Sequence, residues 1–456
     1  MDITKDLAKF CFETNYSHFP EEVVDKVKYF LLDFIGVAAR GSIAESSRVM
    51  FDIVRYFGKS PKSCIIIGTE MRVPPPYAAL ANGTSGHAIE MDDVNNEASL
   101  HPGVTNFPGV IATGEFQKVD GKKFIEGVVL GYEITIRLGK ALVPTLHYRR
   151  GFHPTATCGA FGASVGAGKI LGLNEEQMTN ALGIVGGMAS GTMECLANDS
   201  WIKKMQPGWA AHNGVMAAFL AKKGFRGSPT IIEGKHGFLH MGSDSPKAER
   251  VLEAIGESYE IMKTSIKPHA CCRYKQGPID AILKLMKEHP IKAHHVEKVT
   301  LGILKTGIPF VAEPKETKHN PKSLIEAQFS MPFGAAVALL YGKAGIEEYV
   351  EEKWNAPEVK EMMDRVYCIE DPKLEVDYPQ KWPAEAEIRT KGGKTFSTRI
   401  DYPKGDPENP LSWDELTEKF HHLSKEVYSK ERRGKIVKKT RRLEKETELR
   451  ELTSLC

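Results

Sequence analysis

Three histidine-bearing segments hold the side chains best suited to chemistry in this chain. The first runs Gly86-His87-Ala88-Ile89-Glu90-Met91-Asp92-Asp93 and closes at His101-Pro102-Gly103. The second is Gly151-Phe152-His153-Pro154-Thr155, and the third is Lys267-Pro268-His269-Ala270-Cys271-Cys272-Arg273-Tyr274. His101 and His153 each precede a proline, which disfavours helical backbone at the histidine and predicts extended or turn conformation. Substrate-reaching residues concentrate on loops held by a rigid scaffold. Imidazole is also the side chain most readily poised to move protons near neutral pH. The three segments therefore predict acid–base chemistry.

Charged company surrounds these histidines. Lys203 and Lys204 follow an apolar Gly/Ala segment, with His212 and Asn213 further on, while Lys267, His269, Arg273, Tyr274 and Lys275 crowd one short stretch. If the segments converge, they form a cationic cavity suited to a small di- or tricarboxylate. The acidic run Glu90, Asp92, Asp93, then Asn95, Asn96 and Glu97, resembles the aspartate-rich helix that holds magnesium in terpene synthases. A hard cation needs a second, opposing ligand set. The nearest one, Asn198-Asp199-Ser200-Trp201, lacks a carboxylate further along. The expectation is therefore no metal and no cofactor, with the acidic run serving acid–base chemistry or substrate orientation.

The elements that must position these residues read as two kinds. At 456 residues the chain predicts two domains. Residues 20 to 39 place Val23, Val24, Val27, Phe30, Leu31, Phe34 and Ile35 at helical spacing, with Gly41 as the terminator. Asn174 with Gln177 predicts a capping box. The Ala/Gly-dense stretches 159–172, 183–191 and 208–221 predict buried central helices, because glycine in a helix costs about 1 kcal/mol and close helix approach is the return. From residue 265 the pattern changes. Val296 to Leu304 and Leu374 to Tyr378 alternate as strands, and 386–400 forms a hairpin turning at Gly392-Gly393. Helices are predicted over 279–288 and 323–341. A stiff connector, Pro403-Lys404-Gly405-Asp406-Pro407-Glu408-Asn409-Pro410, precedes a second capping box at Ser412-Trp413-Asp414-Glu415. The charged end, 424–450, reads as a solvated helical face spaced by Val427, Ile436, Leu443 and Leu449.

The fold class expected is thus mainly α: a large all-helical domain over 1–264 and 405–456, with an α+β domain over 265–404 inserted into it. Lysine plus arginine (61) nearly balance aspartate plus glutamate (59), which leaves no global field for nucleic acid or a membrane surface. No apolar stretch reaches a membrane-spanning length, and the start lacks a signal-peptide pattern. Eight scattered cysteines without a Cys-x-x-Cys pair predict reduced thiols and a cytoplasmic location.

Together with Pro207-Gly208-Trp209-Ala210-Ala211-His212-Asn213-Gly214 and Glu326-Ala327-Gln328-Phe329-Ser330-Met331-Pro332-Phe333, the three segments resemble the MmgE/PrpD family of 2-methylcitrate dehydratase and cis-aconitate decarboxylase. The resemblance runs from about residue 5 to 425. It implies a helical domain built from both chain ends, an inserted lid domain, a homodimer and no metal. It places Asp92 and Asp93 in an acidic loop, and matches His101 and His153 to active-site histidines. Lys203 matches a lysine that binds a substrate carboxylate, and Lys267 a lysine at the lid entry. Glu90 stands where many members have aspartate, Cys272 and Phe333 where the decarboxylase has histidine and tyrosine, and Gln206 where relatives have histidine. These departures point away from decarboxylation and toward the MmgE-type branch, including iminodisuccinate epimerase-like members.

The activity expected is a cofactor-independent lyase, a dehydratase of a 2-methylcitrate-like hydroxy-polycarboxylate working through an enolate-type carbanion. His101 is the expected base and His153 the acid, with Asp93 holding a histidine tautomer or orienting the substrate. Lys203, Lys267 and Arg273 would meet the developing charge, Tyr274 would donate to a substrate oxygen, and Cys272 is either a proton donor or a structural thiol. Glu90, Asp92, Lys204 and His269 complete the expected substrate contacts. Epimerisation of an iminodisuccinate-like dicarboxylate, cis-aconitate-type decarboxylation and non-catalytic carboxylate binding are the alternatives.

Overall fold

The computed structural model describes residues 2–58, 63–196 and 200–456. Two compact units emerge: Met1–Ala88, Asp92–Thr264 and Ser412–Cys456 make the first, and Ile89–Met91 with Ser265–Leu411 make the second.

In the first unit the apolar spacing after Pro20 gives helix α1 (Glu21–Ser42). Gly41 does not terminate it as expected. A methyl there would lie 1.9 Å from the Ser85 carbonyl oxygen, so this glycine permits a close crossing. The crossing partner is α2 (Pro75–Gly86), which starts on prolines that cost no helical hydrogen bond at that position. Then follow α3 (Gly103–Gln117), α4 (Gly121–Leu142) capped by the Asp120 side chain, and α5 (Pro154–Leu171). The Asn174–Gln177 capping box starts α6 (Glu175–Gly186), and α7 (Ile202–Lys222) follows. Helix is absent from 187–191, so the predicted 183–191 segment is helical only at its start.

All 18 residues of α5 are buried, which explains its glycine- and alanine-rich composition. It packs against α3, α4 and α7. A close backbone contact joins α2 to α7, where a methyl on Gly83 would sit 2.5 Å from the Gly208 Cα, and one on Gly208 would sit 2.2 Å from the Leu80 oxygen. Backbone cannot yield there as a flexible side chain would. Gly208→Ala should therefore destabilise the protein by about 1–3 kcal/mol, the usual range for overpacking, seen as a lower denaturation midpoint with an unchanged slope. An unchanged midpoint would show that the two helices can part without cost.

The second unit contains α8 (Gln276–Glu288), β1 (Val296–Ile303), α9 (Met331–Tyr341), β2 (Val366–Glu370), β3 (Ala384–Thr390) and β4 (Thr395–Ile400). The sheet order is β2-β1-β3-β4. Strand β2 runs parallel to β1, while β3 is antiparallel to both β1 and β4. The predicted hairpin is present, and α8 packs on β3 and β4. Two expectations fail locally. Leu374–Tyr378 is not a strand: a 3-10 helix spans Pro372–Asp377, started by proline and by the Asp371 side chain accepting from Lys373 N–H. The predicted helix over 323–341 breaks into Leu324–Gln328 and α9, because Pro332 lacks a donor and the Ser330 side chain caps the new start.

The connector 403–411 groups with the second unit, beyond the boundary expected at 404. Its charges explain this: Asp406 is bonded to Arg273 and Ser265, and Lys404 N–H donates to Asp280. The chain then returns to the first unit through α10 (Trp413–Ser424), started by the predicted Ser412–Glu415 capping box and packed on α1. The basic end is not one helical face. It breaks into short helices at Lys430–Thr440 and Arg450–Thr453, with Ile436, Leu443 and Leu449 buried and Val427 only partly so. Among the described residues, no helix is long and apolar enough to cross a membrane.

Candidate active site

Helix ends gather the chemistry of the first unit. His87 caps the C-terminus of α2, His153 is the N-cap of α5, and His101 lies two residues before α3. The extended backbone of His153 (φ −95°, ψ 103°) is the conformation that Pro154 imposes. Lys203 occupies the first turn of α7, with Lys204 buried beside it. The His87 ring centroid is 5.0 Å from that of His101 and 6.2 Å from that of His153. Three helix N-termini and a lysine thus meet the imidazoles, an arrangement that favours an anion.

Hydrogen-bond partners fix the tautomers. His101 Nδ1 is 2.7 Å from the Asp93 carbonyl oxygen, which can only accept, so Nδ1 carries the proton and Nε2 the lone pair. His153 Nδ1 is 2.6 Å from Gln206 Oε1. The Gln206 amide nitrogen donates to the Thr192 carbonyl at 3.1 Å, which orients the amide so that His153 too holds its proton on Nδ1. Burial, then the nearby charge of Lys203, push the His153 pKa well below the usual value. His153 thus rests neutral, with a lone pair on Nε2.

The two aspartates exchange the parts expected of them. Asp92 Oδ2 lies 2.7 Å from His87 Nδ1 and 3.2 Å from His101 Nδ1, so it orients histidines rather than substrate. The Asp93 carboxylate turns away, accepting from Tyr132 Oη at 2.6 Å and Gly103 N–H at 3.0 Å. Only its backbone carbonyl holds a histidine tautomer. Burial pushes the Asp93 pKa up to about 8, against the lowering effect of the Tyr132 bond. A carboxyl protonated at neutral pH is mimicked by an amide. Asp93→Asn should keep activity at pH 7 within a few-fold, whereas Asp92→Asn should lose roughly 100-fold. With the folded pKa above the unfolded one, the stability that Asp93 contributes is complete below about pH 4 and is lost as pH rises toward 8. Asp93→Asn should flatten that decline, and equal pH slopes for variant and wild type would refute the protonated state.

The second unit holds the remaining predicted residues, each matched locally. Lys267 Nζ lies 3.6 Å from Glu90 Oε2, both buried. Glu90 sits at φ +57°, a left-handed conformation that is costly for a residue with a Cβ and characteristic of functional sites. Arg273, expected to meet a substrate charge, is paired with a carboxylate: its Nη2 is 2.6 and 2.8 Å from the two Asp406 oxygens, and its guanidinium lies over Trp382. His269 Nε2 is 3.0 Å from Asp280, so it too is engaged by a carboxylate rather than open to a substrate. Tyr274 is one layer of a stack, with its ring centroid 4.5 Å from Trp382 and 6.0 Å from Phe310. Burial pushes the Cys272 thiol up to about 11, which keeps it protonated.

This set of residues sits in a sequence that two family models match over most of its length. The MmgE/PrpD N-terminal domain matches residues 5–251, and the MmgE/PrpD C-terminal domain matches residues 269–443. The chain belongs to the MmgE/PrpD family. Among its relatives is the cis-aconitate decarboxylase-like protein oryM of Aspergillus oryzae, 27% identical over 100% of this chain and 97% of the relative. Human cis-aconitate decarboxylase is 25% identical over 99% of this chain and 94% of its own. The 2-methylcitrate dehydratase of Salmonella typhimurium is 21% identical over 86% and 83%.

In this MmgE/PrpD chain the acidic run is not a magnesium-binding helix. Asp92 faces the histidines and Asp93 faces Tyr132, so these two carboxylates do not converge, while Glu90 pairs with Lys267 within the second unit. Asn198 and Asp199 of the opposing set lie outside the described residues. His87, Asp92 and His101 do offer ligand atoms within 4.8 Å of one another. His87 Nδ1 is already hydrogen-bonded to Asp92 and His101 Nδ1 to the Asp93 carbonyl, and the Lys203 ammonium lies 2.8 Å from His87 Nε2, where it opposes a cation. His87, Gln206 and Tyr132 are the site residues that sequence reasoning left without a role. A histidine five residues before a paired aspartate was the available signal for His87.

Proposed function

We propose that this protein is a lyase that needs no bound metal and removes water from a small hydroxy-polycarboxylate of the 2-methylcitrate type, through an enolate-like carbanion. The observation that carries the reading is His101: its Nδ1 proton is tied to the Asp93 carbonyl, leaving Nε2 as a base, and its ring lies 5.0 Å from the His87 ring that holds the Lys203 ammonium. Lifting a proton next to a carboxylate builds charge on that carboxylate. Lys203 and the N-termini of α3, α5 and α7 meet that charge. His153 Nε2, neutral and lone-pair bearing, accepts from the substrate hydroxyl and orients it. The proton taken by His101 then leaves with the hydroxide as water, so one base serves both halves of the elimination. These proton steps need no group from the second unit. The protein is further proposed to work as a homodimer.

A second reading, decarboxylation of a cis-aconitate-type acid, is favoured by the relatives of that name, which span 92–100% of the chain. There the same Lys203 would meet the electron pair that carbon dioxide leaves behind, and an acid would protonate the carbon. One experiment separates the readings. The protein is incubated in heavy water with citrate, 2-methylcitrate, cis-aconitate and iminodisuccinate, with and without a chelator, and followed by NMR. An alkene forming, with deuterium entering the α carbon of the remaining hydroxy acid and neither affected by chelator, supports dehydration. A decarboxylated product replaces that reading by the second, an inverted centre by an epimerase, and no exchange with any acid sinks all three.

A further inference from the structure

We infer that His87 is a positioning residue that aims the Lys203 ammonium, and that it links this lysine to the carboxylate that orients His101. The inference rests on the lyase reading for its consequence, though not for its geometry. His87 has no exposed surface, and both ring nitrogens are engaged by charged side chains. Nε2 is 2.8 Å from Lys203 Nζ, and Nδ1 is 2.7 Å from Asp92 Oδ2. An ammonium group can only donate, so Nε2 must offer its lone pair and Nδ1 must carry the proton that Asp92 accepts. The result is a directed chain from Lys203 through His87 to Asp92, and on to His101 Nδ1 at 3.2 Å.

Each link constrains the next. A lysine side chain has four rotatable carbons and about 2 kcal/mol of rotamer entropy, so an unanchored ammonium would sample several positions. A fixed acceptor 116 residues away in sequence removes that freedom before substrate arrives. Asp92, which accepts from His87 and lies 3.2 Å from His101 Nδ1, ties the position of the cation to the position of the base. No proton is transferred in this arrangement. His87 acts through Lys203 and touches no reacting atom.

Two amides dissect the imidazole. Gln reproduces the far nitrogen as an acceptor for Lys203, and Asn reproduces the near nitrogen as a donor to Asp92. His87→Gln should retain the KM of the wild type within about three-fold, while His87→Asn should raise KM ten-fold or more. In the Lys203→Met background, His87→Asn should add no further loss. An additive loss, or equal KM values for the two amides, would overturn the inference. Nitrogen-15 NMR of the wild type gives an answer independent of turnover and of how the variants fold. The His87 ring should show a protonated Nδ1 and an unprotonated Nε2, and the Nε2 signal should shift in Lys203→Met. An Nε2-protonated ring refutes the inference even if the lyase reading stands, and the predicted tautomer with no turnover of any acid would refute the lyase reading alone.

Discussion

His101→Gln is expected to lower kcat by about 100- to 10,000-fold with little change in KM, the span usually lost with a general base. Glutamine fills a similar volume, so the cluster can fold around it. It cannot accept a proton from carbon. The variant should therefore bind the acid, measured by calorimetry, while deuterium incorporation at the α carbon falls in step with turnover. A loss smaller than ten-fold would mean that the carbon proton goes elsewhere, with His153 Nε2 as the next base to test. His153 already has the right tautomer for it, with Nε2 unprotonated.

Lys203→Met should cost about 100- to 1,000-fold in kcat/KM, the amount typical of removing one preorganised partner of a developing charge. Methionine matches the length and apolar stem of lysine, so the buried first turn of α7 keeps its packing. The loss should appear in kcat as well as KM, because the carboxylate gains charge on the way to the transition state. A change confined to KM would make Lys203 a plain anchor, with the helix termini left to stabilise the carbanion. Lys203→Arg restores charge but not shape, and its planar fork should recover binding more than rate.

Local signals in the sequence carried most of the framework. Proline after His101 and His153 marked extended backbone before helix starts, and α3 and α5 begin there. The Asn174 and Ser412 capping boxes each started the helix they announced. Signals failed where the deciding partner was distant or competed locally. Arg273 looked like a substrate cation because Asp406, its partner, lies 133 residues on, in what reads as a turn-rich connector. Leu374–Tyr378 alternates like a strand, but a proline start and the Asp371 cap favoured a 3-10 turn. In the site, the histidines were legible from residue type, and the exchange of parts between Asp92 and Asp93 was not. Adjacent residues on a loop point in different directions, and only packing against Tyr132 decides which one turns inward.

The contact between Gly83 and Gly208 also works as the pivot of a pair of short levers. His87 lies four residues beyond Gly83 on α2, and Lys203 lies five residues before Gly208 on α7. At 1.5 Å per residue the arms are about 6 and 7.5 Å long, so a change of roughly 5° in crossing angle moves either tip by only ~0.6 Å. That is still enough to stretch a 2.8 Å hydrogen bond past useful length. A pivot made of backbone cannot be retuned by changing a side chain. The reach of the ammonium to the imidazole is thus set by how two helices cross, one turn away from the chemistry.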